Sequence, residues 1–173
     1  ATSIKLFNLN VPIYIGDTNQ PVGIPPQWIN ETEYTANYLS KFAEITTVNL
    51  PSYEGINFNG ATIVSLGKAT TLNKIIHKYD VEHFYAMLGG YETVLPLETN
   101  AFMDPKAYKC VLKYAKNHNN ASIYTLDDIT DTKVAQAKQY LLDHQPLLYD
   151  ILYPPSRKNW LYWDLTLVMT YFK

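Results

Sequence analysis

The chain has 173 residues, of which 47% are apolar and 17% charged, and its formal net charge at pH 7 is -2. This balance provides enough apolar surface for a buried core, and it excludes both a disordered chain and a strongly basic nucleic-acid binder. The longest apolar runs are a few residues, far short of the ~20 that a helix needs to cross a bilayer. We therefore predict one globular domain over residues 1–173, with no nucleic-acid partner and no transmembrane segment.

Cysteine content and surface composition bear on the compartment. Cys110 is the single cysteine, which excludes an internal disulfide and a thiolate cage for zinc. The chain begins at Ala1 instead of Met, and it has fifteen tyrosines but only seven glutamates. These features favour an extracytoplasmic location (envelope, periplasmic or secreted), with the cytoplasm as the alternative.

Alternating apolar and polar residues predict the first strand, over residues 7–15. Pro12 cannot donate a ladder hydrogen bond, so this strand is expected at a sheet edge or with a bulge. Asn30 is a predicted N-cap for the first helix, and two short strands are predicted at residues 45–50 and 61–66.

The rest of the chain continues to interleave strands with helices. Apolar spacing at i, i+3, i+4 and i+7 predicts a helix over residues 72–79, and Asp104 followed by proline predicts the start of another. Such interleaving favours an α/β (or α+β) fold with a single-layer mixed sheet flanked by about four helices. The remaining predicted elements are strands at residues 81–88, 91–97 and 161–171 and a helix capped by Asp131.

Gly67 and Lys68 follow a short apolar run and precede a helix, as in a phosphate-binding loop. Such a loop needs glycine five residues before Gly67 and Ser or Thr directly after Lys68, but Thr62 and Ala69 occupy those positions. We therefore predict a glycine turn with Thr70 or Thr71 capping the helix, and no nucleotide or other cofactor.

No catalytic or metal-binding pattern appears among the other reactive side chains. His77 and His83 flank two acids, but their spacing fits no ligand pair on one helix. Cys110 lies in the apolar stripe of the helix that begins at Asp104, so we interpret it as a core residue. The acids that precede the last predicted helix are interpreted as capping groups; they are Asp127, Asp128 and Asp131. We predict no metal site and no catalytic residue.

Two segments combine aromatic rings with carboxylates just after turns. Tyr91 and Glu92 follow a double glycine, and Trp160, Trp163 and Asp164 follow a double proline. Aromatic faces beside carboxylates suit a small organic cation or a protein partner. The alternative is that the rings alternate into the core. We predict these five residues as the binding surface.

Residues 103–151 resemble the helix pair in the second lobe of polyamine-type solute-binding proteins. The resemblance covers under a third of the chain and implies a helical part of a solute-binding lobe, without assigning a binding residue. It is carried by an acidic start, an amphipathic helix and then Thr130, Asp131, Lys133, Ala137, Leu141 and Pro146.

Two functions follow from these observations. The first is a non-enzymatic binding domain that holds a protein partner or a small cationic solute on its aromatic and acidic surface. The alternative is a hydrolase-type or other enzyme whose site is assembled around Asp80, His83 and Glu92. A deep pocket with a strongly perturbed histidine or carboxylate would favour the enzyme.

Overall fold

The computed structural model describes residues 11–18, 37, 40–41, 49–90, 98–152 and 163–172. The chain divides into two compact units, Ala1–Asn57 and Phe58–Lys173. In the first unit, Ile15 and Ser52 form an isolated parallel bridge, and a 3-10 turn follows at Tyr53–Gly55. Most of the predicted strand at 7–15 and the helix expected after Asn30 fall outside the described residues. The single domain over residues 1–173 stays a prediction.

The second unit alternates strands with helices around a three-stranded parallel sheet of order β1-β2-β3. This arrangement confirms the predicted α/β class. All the strands paired in this sheet are parallel, so the described residues contain no antiparallel pair of the predicted mixed sheet. In chain order, the elements are β1 (Thr62–Ser65), α1 (Ala69–Lys78), β2 (His83–Met87), α2 (Thr99–Met103), α3 (Pro105–Asn117), β3 (Ala121–Tyr124), α4 (Asp131–His144), α5 (Pro146–Leu152) and α6 (Trp163–Tyr171).

Strand β2 is covered on both faces, as its apolar sequence requires. Its Phe84 ring lies 6.0 Å from Tyr114 of α3, and its Tyr85 ring lies 4.7 Å from Tyr171 of α6. Because successive side chains of a strand point to opposite faces, α3 and α6 pack on opposite sides of the sheet. Phe84 and Met87 are fully buried, one on each side.

Helix α1 buries the predicted stripe, but its N-terminus differs from the prediction. Leu72, Ile75 and Ile76 are buried. The N-cap is Lys68, whose side chain makes no capping hydrogen bond. Thr70 is buried instead, and its hydroxyl donates to Asp104 Oδ2 at 2.6 Å. The predicted cap by Thr70 or Thr71 is therefore wrong, because Lys68 is the N-cap, and the Thr70 hydroxyl instead ties α1 to the start of α3.

The start of α3 confirms the predicted capping. Asp104 is the N-cap, its Oδ1 accepts a hydrogen bond from the Ala107 amide at 3.0 Å, and Pro105 takes the first helical position. Val111 is fully buried, while Cys110 is half-buried beside it.

Helix α4 begins one residue away from the predicted cap. Thr130, not Asp131, is the N-cap, and its hydroxyl accepts a hydrogen bond from the Lys133 amide at 3.3 Å. Asp131 lies in the first turn, where a carboxylate stabilises the helix dipole. Ala137 and Leu141 are buried as predicted, whereas Leu142 is 48% exposed.

The predicted final strand at 161–171 is wrong, because residues Trp163–Tyr171 form helix α6. Apolar positions four apart satisfy both a two-residue alternation and the i, i+4 spacing of a helix, so the pattern was ambiguous. Trp163 and Leu167 use the helical spacing to pack in one cluster with Met87. The hydroxyl of Thr166 donates to the Trp163 carbonyl at 2.8 Å, which satisfies it within the helix.

Strand β3 was not predicted, because it has only four residues and its first two, Ala121 and Ser122, have small side chains. It pairs with β2 so that Tyr85 is opposite Ser122 and Met87 is opposite Tyr124. The strand predicted at 91–97 lies outside the described residues, as does most of the one at 45–50. Among the helices of the described ranges, none is long and apolar enough for a membrane span.

Candidate functional site

The carboxyl ends of the three parallel strands meet at one edge of the sheet. Ligands of open parallel sheets bind at this edge, because the loops that leave the strands converge there. In this chain β1 continues into Leu66, β2 into Leu88 and β3 into Thr125. Functional groups are therefore expected at this edge.

The turn after β2 is held close to the turn after β3. Gly89 and Gly90 have φ angles of +85° and +120°, which favour glycine. The Leu126 amide donates to the Gly89 carbonyl at 2.9 Å. A Cβ on Gly90 would lie 2.7 Å from the Leu126 backbone nitrogen, so only a residue without a side chain permits this approach. The double glycine therefore allows the turns after β2 and β3 to contact each other at this edge of the sheet.

Glu98 is buried at the same edge, with 1% of its surface exposed. Its carboxylate accepts hydrogen bonds from three backbone amides: Gly89 at 3.1 Å, Asn100 at 2.8 Å and Ala101 at 2.9 Å. Two of these bonds cap α2, and the third holds the glycine turn. Burial raises the pKa of the Glu98 carboxyl, and the amide hydrogen bonds partly oppose that rise.

Asp164 is an exposed residue in the first turn of α6, and its carboxyl group is influenced by Glu98. Desolvation by the surrounding protein raises the pKa of Asp164 from 3.8 to about 6, and the negative charge of Glu98 contributes in the same direction. Asp164 is exposed, and the pKa of its carboxyl group is raised. This combination is typical of a group that meets a ligand.

Among the predicted surface residues, Trp163 and Asp164 are described, and both lie in the first turn of α6. Trp163 is half-buried against the cluster of Met87 and Leu167. Its ring is therefore partly a core group, as the alternative interpretation held. Tyr91, Glu92 and Trp160 lie outside the described residues, so their place in the site stays a prediction.

Two of the three residues predicted for the enzyme alternative lie at the opposite end of the sheet, where β2 begins. Asp80 precedes β2 and His83 begins it, whereas Glu92 follows the strand and lies outside the described residues. His83 is paired instead with Ser122, whose Oγ lies 2.9 Å from Nε2.

A surface pocket of about 220 Å³ opens between α4 and α6. Its only cationic lining residue is Lys133, whose Nζ donates to the Asp128 carbonyl at 2.8 Å and lies 4.9 Å above the Tyr124 ring. This positive charge makes the pocket unsuitable for a cation. Within the described ranges, no three His, Cys, Asp or Glu side chains are grouped as metal ligands.

Sequence reasoning missed Glu98 and the His83–Ser122 pair. Glutamate is not among the preferred N-cap residues, so nothing in the sequence around Glu98 indicates a cap. Ser122 becomes adjacent to His83 only through the pairing of two strands that are distant in sequence. Both the cap formed by Glu98 and the contact between His83 and Ser122 depend on tertiary structure.

No family model, curated protein or solved structure matches the chain. The resemblance of residues 103–151 to the second lobe of polyamine-type solute-binding proteins stays a prediction. The helices in this range are present, with Thr130 capping α4 and Pro146 beginning α5.

Proposed function

We propose that this chain is a binding domain that holds a small cationic solute at the carboxyl end of its parallel sheet. Asp164 is the residue that contacts the positive charge. The observation that supports the proposal is the exposed position of Asp164 in the first turn of α6, the turn whose Trp163 packs with Met87 at the carboxyl end of β2. The negative charge of Glu98 also raises the pKa of Asp164. An extracytoplasmic location belongs to the same proposal.

Asp164 and Glu98 carry like charges when both are ionised, and they influence each other. Ionised Asp164 is disfavoured by its poor hydration and by Glu98, so an empty site carries unfavourable electrostatic energy when both groups are charged. An ammonium group beside Asp164 replaces the missing hydration and offsets the repulsion. An anionic solute would increase the repulsion. The site therefore selects a cation.

The surrounding groups give the site its shape. Glu98 is fixed by three amide hydrogen bonds and is buried, so it acts through its charge and not by direct contact. Trp163 lies beside Asp164 in sequence and is half-buried, which leaves part of an aromatic ring for a cation–π contact. Tyr91, Glu92 and Trp160 stay predicted members of the binding surface and lie outside the described residues.

Titration calorimetry with putrescine, spermidine, choline and a neutral sugar at pH 7.5 tests the proposal. We expect at least one amine to bind and the sugar not to bind. Asp164→Asn should weaken amine binding by about tenfold or more, because it removes a charge-assisted contact. The matched control is Asp143→Asn, which changes an exposed carboxylate on α4.

Acidification provides a second measure on the wild-type chain. Because cation binding requires ionised Asp164, the affinity for the amine should fall as the pH drops below about 6. Equal affinity in the wild type and Asp164→Asn, or an equal loss in Asp143→Asn, would contradict the assignment of Asp164.

A further inference from the structure

A serine and a histidine meet on the face of the sheet that α6 covers. His83 begins β2, and Ser122 lies opposite Tyr85 in the neighbouring strand. Ser122 Oγ and His83 Nε2 are 2.9 Å apart, and both residues are half-buried. This distance allows the imidazole to take the hydroxyl proton directly. Both side chains retain access to solvent.

The histidine ring is held in place by aromatic packing. Its centroid lies 4.5 Å from that of Tyr85, and the Tyr85 ring in turn lies 4.7 Å from Tyr171 and 4.9 Å from Phe172. A ring restrained in this way keeps Nε2 directed at the hydroxyl, which reduces the entropy lost in reaching the reactive geometry.

Negative groups lie on the same side of the sheet. Thr62 is paired in register with His83, and its hydroxyl donates to Glu82 Oε2 at 3.1 Å. The carboxylate of Glu82 is thereby held near the strand position next to His83. Helix α6 also ends at Tyr171, close to Tyr85, so the negative end of its dipole lies toward this face.

Apolar surface adjoins the pair. Val64 is opposite Tyr85 in β1 and is 41% exposed, and Phe172 is 48% exposed. An uncharged acyl or aryl group can pack on these side chains while its carbonyl carbon faces Ser122. The surroundings therefore fit an uncharged ester better than a charged substrate.

We propose that Ser122 and His83 form a nucleophile and general-base pair for acyl transfer from small apolar or aromatic esters. This activity goes beyond the cation-binding function and uses the opposite end of the sheet.

The steps conserve atoms and charge. Ser122 Oγ bonds to the ester carbonyl carbon while its proton moves to His83 Nε2. The bond from carbon to the leaving oxygen then breaks, and that oxygen takes the proton from His83, leaving an acyl-serine and a free alcohol. Water attacks the acyl-serine, gives one proton to His83, and releases the carboxylic acid as that proton returns to Ser122 Oγ.

The test uses an alkyl fluorophosphonate, which reacts with activated serines by forming an Oγ–P bond and releasing fluoride. Intact-mass and peptide mass spectrometry measure the extent and position of labelling. We expect labelling at Ser122, none at that position in Ser122→Ala, and at least about a hundredfold slower labelling in His83→Gln, since a general base contributes ~10²–10⁴. Ser65→Ala, in β1, is the matched serine control and should label at the wild-type rate.

A parallel assay follows hydrolysis of p-nitrophenyl acetate, and circular dichroism checks that each variant is folded. Should Ser122→Ala fail to fold, Ser122→Thr retains a hydroxyl and His83→Gln retains the serine, so labelling still reports on the pair. Labelling of the wild type at a residue other than Ser122, its absence, or an unchanged rate in folded His83→Gln would overturn the proposal.

Discussion

Glu98 illustrates how much one buried side chain contributes to the edge of this sheet. Its carboxylate connects three backbone amides that belong to two different segments, the glycine turn after β2 and the first turn of α2. A buried amide without a partner costs free energy close to that of a lost hydrogen bond. The position of the glycine turn relative to α2 therefore depends on this side chain.

We expect Glu98→Ala to lower the free energy of unfolding by about 2–4 kcal/mol, because it leaves buried amides unpaired at a helix cap. Urea unfolding monitored by tryptophan fluorescence measures the change. Glu54→Ala, at an exposed position, should shift the free energy by less than about 0.5 kcal/mol. A loss in Glu98→Ala no larger than that of the control would show that the amides find other partners.

The raised pKa of Asp164 makes stability depend on pH. Between the model-peptide value of 3.8 and about 6, the folded chain holds a proton that the unfolded chain has released. The free energy of unfolding therefore decreases as the pH rises through this window and stays lower above it. Removing the ionisable group should remove this decrease.

We accordingly expect Asp164→Asn to melt at a higher temperature than the wild type at pH 7, with the difference shrinking as the pH falls toward about 4. Melting curves in buffers between pH 3 and pH 8 measure it. Asp143→Asn should show no such convergence. A pH-independent difference between Asp164→Asn and the wild type would mean that the pKa of Asp164 is ordinary.

Among the secondary-structure elements, the sequence predicts those whose signals are local. Helix α3 begins where Asp104 and Pro105 supply both a capping carboxylate and a preset φ, and α1 buries the apolar stripe that its spacing predicts. Helix α6 was misassigned because its apolar residues satisfy two periods at once, and it is packing against Met87 that favours the helix. Strand β3 is too short to have a period and depends on its pairing with β2.

The glycine turn after β2 should be sensitive to an added side chain. Gly90→Ala should lower the free energy of unfolding by at least about 2 kcal/mol, since its φ is +120° and the new Cβ would overlap Leu126. Gly67→Ala provides the matched control, because nothing lies within 4 Å of the added Cβ. That variant should be unchanged or more stable by less than about 1 kcal/mol. Chemical denaturation of both proteins measures the difference, and equal effects would contradict it.

For the whole molecule, composition and apolar periodicity were sufficient to predict a folded α/β protein but not the site. The pairing of Ser122 with His83 and the influence of Glu98 on Asp164 arise between segments 39 and 66 residues apart in the numbering of the chain. Such contacts are set by topology, which a single sequence does not display. By contrast, Asp164 was selected from its local setting after a turn and beside an aromatic ring.

Differential scanning calorimetry tests the prediction of one cooperative domain over residues 1–173. We expect a single transition whose van't Hoff and calorimetric enthalpies agree, unchanged by a chelator. Two resolved transitions would instead show that Ala1–Asn57 and Phe58–Lys173 unfold independently. A chelator-dependent loss of the transition would contradict folding without metal.

Helix α6 extends along the sheet in the direction opposite to its strands. Its beginning bears Asp164, with Trp163 and Leu167 against Met87, and its end bears Tyr171, whose ring meets Tyr85 beside His83. The helix is about 13 Å long, so it reaches both ends of β2 as one rigid rod. Any ligand that displaces the rod at one end alters the surroundings of the other. Thermodynamic linkage then requires the effect to be reciprocal, with occupancy at either end changing the affinity at the other by the same factor.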